Sequence, residues 1–304
     1  NEVDPRYLSL GSLLTQPAAS AQARAAGIAL PYAGFQGSVA QALRPYPQYL
    51  AISERSNPNG NSTYHALQVK AQKRMSFGLT YLVAYTWSKT LSDGDVQAGG
   101  GPNGQTYYNR ALEKALSTND VPHNVAVSFL YELPFGPGRK FLNHGGVIGK
   151  LAGGWTFSGI QQYMSGKPIV LSANNTLPIF NATLRPDVVS GVARQADFGS
   201  FDPAADRYIN PAAFAVPAAY RIGTSARSYG DLRSFPLFNE SWGLIKRTAL
   251  WERMSLTFRA EFFNVFNRVV FAAPAANVSN ANFGRVSAQA NTPRQGQLAL
   301  KLEF

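Results

Sequence analysis

The sequence predicts an all-β fold, specifically an antiparallel transmembrane β-barrel, and three observations carry that expectation. Segments of about ten residues alternate bulky apolar or aromatic side chains with small, mildly polar ones at strict period two. Tyrosine and tryptophan stand near the ends of the bulky faces, at Tyr85, Trp87, Trp155 and Trp242, where a lipid–water boundary favours rings with an apolar body and a polar tip. Short and long connections alternate along the chain, as they do when tight turns lie on one side of a membrane and long loops on the other.

Composition agrees. With 304 residues the chain has room for one large domain or two ordinary ones, and 15% charged with 12% aromatic residues excludes global disorder. Gly (27), Pro (19), Tyr (14) and Phe (19) suit strands separated by turns. The absence of cysteine excludes disulfides, thiolate metal sites and cysteine nucleophiles, and fits passage through an oxidising compartment. No apolar run approaches the roughly 18 residues of a spanning helix. The first residue is Asn and no charged segment with an apolar core follows it, so the chain is expected to be processed or to be a piece of something longer. The net charge of +11 is dispersed in pairs and triplets near short turns, such as Lys73–Arg74, Arg139–Lys140 and Lys246–Arg247, while residues 91–122 carry −2. A basic stripe with interleaved aromatics is missing, so no nucleic-acid partner is expected.

Seven strands are expected, near 63–75, 77–90, 123–133, 154–166, 237–248, 253–266 and 295–304. In the first, Leu67, Val69 and Ala71 oppose Gln68, Lys70 and Gln72. After a tight break at Met75–Ser76, the second carries the strongest signal. Phe77, Leu79, Tyr81, Val83, Tyr85 and Trp87 form an unbroken bulky face against Gly78, Thr80, Ala84, Thr86 and Ser88, with Leu82 the exception. The third sets Val125, Val127, Phe129, Tyr131 and Leu133 against Ala126, Ser128, Leu130 and Glu132; the fourth opens with Trp155 and Phe157 and blurs after Gly159. The fifth is the weakest, because Glu240 and Lys246 share the face of Phe238, Trp242 and Leu244. The sixth sets Met254, Leu256, Phe258, Ala260 and Phe262 against Ser255, Thr257, Arg259, Glu261 and Phe263. The last alternates Leu298, Leu300, Leu302 and Phe304 with Gln297, Ala299, Lys301 and Glu303.

The bulky faces are expected to meet lipid, at Val83, Tyr85, Trp87, Phe129, Phe258 and Leu300, and Lys70, Glu132, Arg259, Glu261, Lys301 and Glu303 to face the lumen. A soluble β-sandwich binding module is the alternative, but its second face would be strongly charged, whereas these are mild. With residue 63 on the outer side, the strands run alternately down and up and Phe304 ends at the periplasmic side. Residues 1–62, rich in Pro and Gly between Gly27 and Gly60, read mostly as extracellular loop. Seven strands cannot close a bacterial single-chain barrel, which takes an even number. The chain is therefore expected to be the C-terminal part of a longer one.

No catalytic residues and no metal site are nominated, and no cofactor. His65, His123 and His144 lie far apart without carboxylates at ligand spacing. SDGDVQAGGGPNG (92–104) offers Asp93 and Asp95 but lacks the glutamate that completes an EF-hand loop, and reads as a flexible extracellular loop. PFGPGRK (134–140) lacks the spacing of a phosphate-binding loop, and no GxSxG elbow places a serine. Tyr107 and Tyr108 are the candidate ligand contacts, able either to stack on a flat ligand or to pin their loop to the mouth.

Several segments together resemble a known family. NSTYHALQVKAQKR (61–74), LVAYTWSKTLSD (82–93), VPHNVAVSFLYELPFGPGRKF (121–141), GGWTFSGIQQYMSGKP (153–168) and FRAEFFNVFN (258–267) are similar to the C-terminal barrel of TonB-dependent outer-membrane receptors. RPYPQY (44–49), NPAAFA (210–215) and the ending FGRV…TPRQGQLALKLEF (283–304) point to the Oar-like branch. The resemblance implies a barrel of about 22 strands around a plug domain that this chain lacks, in the outer membrane of a Gram-negative bacterium. It implies outer-membrane lipid, an extracellular ligand of unknown identity, and the TonB complex acting through the N-terminal part as partners. Oar-like relatives often carry a carboxypeptidase-regulatory-like domain before the plug, and one member is associated with outward movement of a protein, so an export receptor or a plug-less channel are the alternatives within the membrane. The ending, with apolar residues at Leu300, Leu302 and a final Phe304, resembles the signal read by the barrel-assembly machinery; an amphipathic edge strand suits recognition by strand addition.

Overall fold

Alternation at period two can be satisfied by a sheet in which every strand keeps its bulky residues on one side, and register is fixed because a slip of one residue would exchange the faces. The computed structural model, which describes residues 1–52, 60–95, 104–180, 184–197, 200–251 and 253–304, has this arrangement. Its seven long strands are β1 (Ser62–Ser76), β2 (Leu79–Ser92), β3 (His123–Glu132), β4 (Trp155–Met164), β5 (Leu237–Trp251), β6 (Met254–Phe263) and β7 (Gln295–Glu303). They pair antiparallel in chain order, and β1 and β7 are the edges of that path. No helix among the described residues is long and apolar enough to cross a membrane.

One end of the sheet carries turns and the other carries loops. The β1–β2 turn is the dipeptide Phe77–Gly78, with φ of 54° and 80°. Both central residues are left-handed, as the commonest two-residue hairpin turn requires. Phe77 therefore sits in the turn, almost wholly exposed, and does not begin the bulky face of the second strand. At the β5–β6 turn Trp251 pairs with Met254.

The connection between β3 and β4, although rich in glycine, contains a helix, α3 (Gly146–Ala152). Gly136 and Gly153 let two turns of this connection cross closely: a Cβ on Gly136 would lie 2.4 Å from the Gly153 Cα. Trp242, expected near a strand end, lies mid-strand in β5 opposite Gly159. Gly159 leaves the space that the rings of Phe129 and Trp242 occupy on either side, since a Cβ there would meet them at 2.5 and 3.1 Å.

At the loop end the chain is folded rather than trailing. Residues 1–52 form a 3-10 segment (Pro5–Thr15) and two short helices, α1 (Ala21–Ala25) and α2 (Val39–Ala42). Ser20 and Ser38 cap the helices by accepting from the N–H of Ala23 and Gln41. This stretch, expected mostly as loop, is helical in part and encloses a core.

Candidate functional site

The register places the twelve residues expected to face lumen or lipid as two coherent sets. Lys70 pairs with Ala84, Glu132 with Thr156, Glu261 with Gly243 and Gln297, and Arg259 with Ile245 and Ala299. Lys301 and Glu303 pair with Thr257 and Ser255. All six stand on the small-residue face. Val83 pairs with Ala71 and Val127, Tyr81 with Phe129, and Phe258 with Leu300 and Lys246. With Tyr85 and Trp87 these stand on the bulky face. On the small face the charges find partners: Arg139 reaches Glu132 at 2.7 Å, Gln297 donates to Glu261 at 2.6 Å, and Lys301 reaches Glu303 at 2.8 Å.

The bulky face carries its aromatics as a ladder. Phe129, Phe157, Trp242 and Phe266 follow one another with ring centroids 5.3, 5.6 and 5.1 Å apart. The two charges that spoil the pattern of β5 are held at opposite rims. Glu240, almost fully buried, is gripped by the Arg268 Nε at 3.0 and 3.1 Å from its two oxygens. Lys246 donates to three carbonyl oxygens at the end of α3. Charges near the ends of a bulky face therefore mark its borders.

Above the sheet the long loops build a cap with two apolar cores. Ile169, Leu171, Ile209, Leu232 and Phe283 form the centre of the first, assembled from the β4–β5 and β6–β7 connections. Around them Phe201, Tyr208, Phe235 and Phe271 interlock, with Tyr208 and Phe235 only 4.4 Å apart. Burial raises the Tyr208 hydroxyl above its ordinary pKa. The second core joins Leu14, Ala23 and Val39 of the N-terminal segment to Ile179 of the β4–β5 loop.

A polar seam ties the β2–β3 loop to these cores. Arg185 pairs with Glu113 at 2.8 Å, both side chains nearly inaccessible. The Gln105 side chain accepts from the N–H groups of Arg185 and Gly223 and donates to the Gly223 carbonyl at 2.9 Å. A Cβ at Gly223 would lie 1.8 Å from the Arg185 carbonyl oxygen, so only glycine permits this approach. Burial lowers the Arg185 pKa and the Glu113 carboxylate raises it in opposition. Arg227 reaches Asp95 at 3.1 Å and Arg233 reaches Asp120 at 2.6 Å. Asp93 accepts from the N–H of Asn61 and pairs with Arg110 at 3.4 Å. The two aspartates of the 92–104 stretch are thus clips between segments; residues 96–103 of that loop lie outside the described residues.

Tyr107 and Tyr108 stand at the edge of the seam, their rings 6.3 Å apart edge to face. The backbone N–H of Tyr107 donates to the Glu2 carboxylate, which also accepts from Thr106 Oγ1 at 2.6 Å. The Tyr108 hydroxyl reaches the Glu2 carbonyl at 3.4 Å, and burial raises its pKa. Tyr108 is thereby tethered, whereas the Tyr107 ring is 69% exposed. Asn1 donates to the carbonyls of Tyr46 and Tyr49 at 3.0 and 2.6 Å, and both of those rings are exposed too. A group of exposed tyrosines therefore gathers around residues 1 and 2. The sequence singles out Tyr107 but not Tyr46 and Tyr49, whose proximity depends on contacts more than forty residues apart.

Of the histidines, His123 Nδ1 lies 2.9 Å from the Tyr85 hydroxyl on the bulky face. No group of three or more His, Cys, Asp or Glu suited to a metal occurs among the described residues. The family model described as outer membrane beta barrel domain matches residues 9–297. Comparison with curated proteins gives no match.

Proposed function

The chain belongs to the outer membrane beta barrel domain family, and from that premise we propose that it forms wall and ligand-gathering cap of a TonB-dependent outer-membrane receptor of the Oar-like type. The observation that carries the proposal is a two-faced antiparallel sheet of seven long strands in order, with long loops folded at one end and shorter connections at the other. Seven is odd, and β1 and β7 are edges, so a bacterial barrel needs further strands to close around this section. The resemblance of the segments quoted above is what supports the receptor reading over other outer-membrane barrels.

In this reading the bulky face meets outer-membrane lipid and the small face lines a lumen blocked by a plug from another part of the protein. Lys70, Glu132, Arg259, Glu261, Lys301 and Glu303 form a water-facing wall. Tyr107, with Tyr108 holding its loop, meets the ligand at the outer surface. The alternate apolar residues Leu300, Leu302 and Phe304 on the edge strand β7 are recognised by the barrel-assembly machinery through strand addition. TonB supplies the energy; no catalytic step is assigned.

The test is the intact mass of the native protein extracted by detergent from the outer-membrane fraction, followed by cross-linking to the C-terminal domain of TonB. A mass about three times that of this chain, together with a specific cross-link, is expected for a large plugged barrel. A mass near 32.9 kDa would overturn the reading. A persistently open pore in a planar bilayer, without the cross-link, would replace it with a plug-less channel.

A further inference from the structure

The turn end of the sheet holds a feature that neither a barrel wall nor a receptor requires. Helix α3 lies against the bulky face, not below it. Lys246, on that face, donates through Nζ to the carbonyls of Lys150, Leu151 and Gly153 at 2.8, 2.9 and 2.7 Å. These are the orphan acceptors of the helix C-terminus, which a cation satisfies well. Trp155 Nε1 donates to the Leu151 carbonyl at 3.0 Å, and the Lys246 ammonium sits 4.8 Å from the Trp155 ring centre. A cleft of about 310 Å³ between helix and sheet is lined by Val147, Leu151, Leu256 and Phe258 among others.

The helix and its approach leave a run of apolar side chains uncovered. Val147 is 74% exposed, and Ile148, Leu151, Phe141 and Leu142 are exposed beside it. In water such a cluster would be a liability; continuous with the bulky face, it suits the interfacial depth at which amphipathic segments lie in a membrane. Its flanks are basic: Arg139, Lys140 and Lys150 lie on the same connection, all exposed, with the Lys140 ammonium 5.3 Å from the Phe141 ring centre.

We propose that the β3–β4 connection is a membrane-interface anchor that seats Val147, Ile148 and Leu151 among acyl chains and binds the phosphates of anionic phospholipids, of the phosphatidylglycerol type, through Lys140 and Lys150. The occupant follows from charge: an apolar cluster alone would take any lipid, whereas cations at its border select an anionic headgroup. Lys246 is the positioning residue, because it fastens the helix to the wall. The inference rests on the bulky face meeting lipid, not on dependence on TonB.

The absence of cysteine from this chain makes Val147→Cys a site for a single nitroxide in it. The full-length protein, with any cysteines outside this chain replaced, is placed in nanodiscs of phosphatidylethanolamine with or without phosphatidylglycerol, and Val83→Cys serves as a label in the wall. Both labels are expected to collide with oxygen and to be shielded from a water-soluble relaxing agent. Mass spectrometry of the detergent-extracted protein should show retained phosphatidylglycerol, falling about fivefold for each of Lys140→Gln and Lys150→Gln. A water-exposed label at 147 with a shielded label at 83 overturns the anchor and leaves the receptor reading standing. A shielded 147 with equal retention of both lipids, unchanged by the lysine substitutions, overturns headgroup binding. A water-exposed label at 83 overturns the facing on which the anchor and the receptor both depend.

Discussion

The sheet and the cap bury their apolar residues in opposite ways. In the cap, Leu14, Leu171, Ile179, Ile209 and Leu232 are fully enclosed by their own chain. In the seven long strands no apolar side chain is so enclosed among the described residues: Ala260, the most buried, keeps 9% of its surface, while Leu298, Leu300 and Leu302 lie open. Burying a Leu, Ile, Val or Phe side chain is worth about 1.5–3 kcal/mol. The cap obtains that stabilisation from itself, and the strands must obtain it from their surroundings. A cap that is complete in water beside a wall that is complete only in lipid is the physical content of an outer-membrane barrel domain.

The sharpest way to break this contrast is to damage the cap without touching the wall. Arg185→Met leaves the Glu113 carboxylate buried with its cation gone, and removing one partner of a buried pair costs about 3–5 kcal/mol. Hydrogen exchange at residues 104–116 and 184–188 of the membrane-bound protein should accelerate strongly, while β2–β6 stay protected. The double substitution Arg185→Met with Glu113→Leu should recover much of the loss, since it removes the stranded charge. If the strands lose protection together with the cap, the two regions are one cooperative unit and the contrast fails.

The wall is broken by the converse change. Leu300→Arg or Val83→Arg places a charge on the bulky face, and near the middle of a bilayer this costs about 2–4 kcal/mol. The variant is expected to be lost from the outer-membrane fraction in a membrane-integration assay. Normal integration of both variants would mean that the bulky face does not meet lipid.

The two regions also differ in how far the sequence announces them. A strand declares its faces locally: Val83, Tyr85 and Trp87 need only their neighbours to show period two. The flaws in β5 are legible in hindsight by the same rule, because Glu240 and Lys246 sit where the bulky face meets its rims and each is held by a partner there. What hides them is that Arg268 and the end of α3 come from other connections. The cap core has no period at all. Ile169, Ile209, Leu232 and Phe283 converge from two loops, and the Arg185–Glu113 pair spans 72 residues of sequence. Helix α3 left one local trace, Val147, Ile148 and Leu151 between glycines, too short a pattern to separate from a turn.

A milder test sharpens the junction between the regions, where β1 begins and β2 gives way to its loop. The Asn61 backbone N–H, followed by its side chain and Arg110, holds the Asp93 carboxyl below its ordinary pKa. A lowered carboxyl pKa contributes stability that is present above the ordinary value, about 3.9, and is lost as pH falls through the lowered one. Protection at residues 60–62, taken relative to the free amide at each pH, should therefore be level near neutrality and fall in strong acid. Asp93→Asn should produce the looser state already at pH 7; identical protection in the variant would show that the clip holds nothing.

The smallest effect is expected from Lys70→Gln, and its smallness is informative. Lys70 pairs with Ala84 on the mild face, one residue from Val69 and Ala71 on the other. Exchanging one hydrated polar side chain for another on that face should change stability by less than about 0.5 kcal/mol, with membrane integration unaltered. Val69→Arg, one position away, should behave like Val83→Arg. Equal tolerance at 69 and 70 would mean that the alternation has no environment behind it, because only a difference between the two sides of the sheet makes adjacent residues unequal.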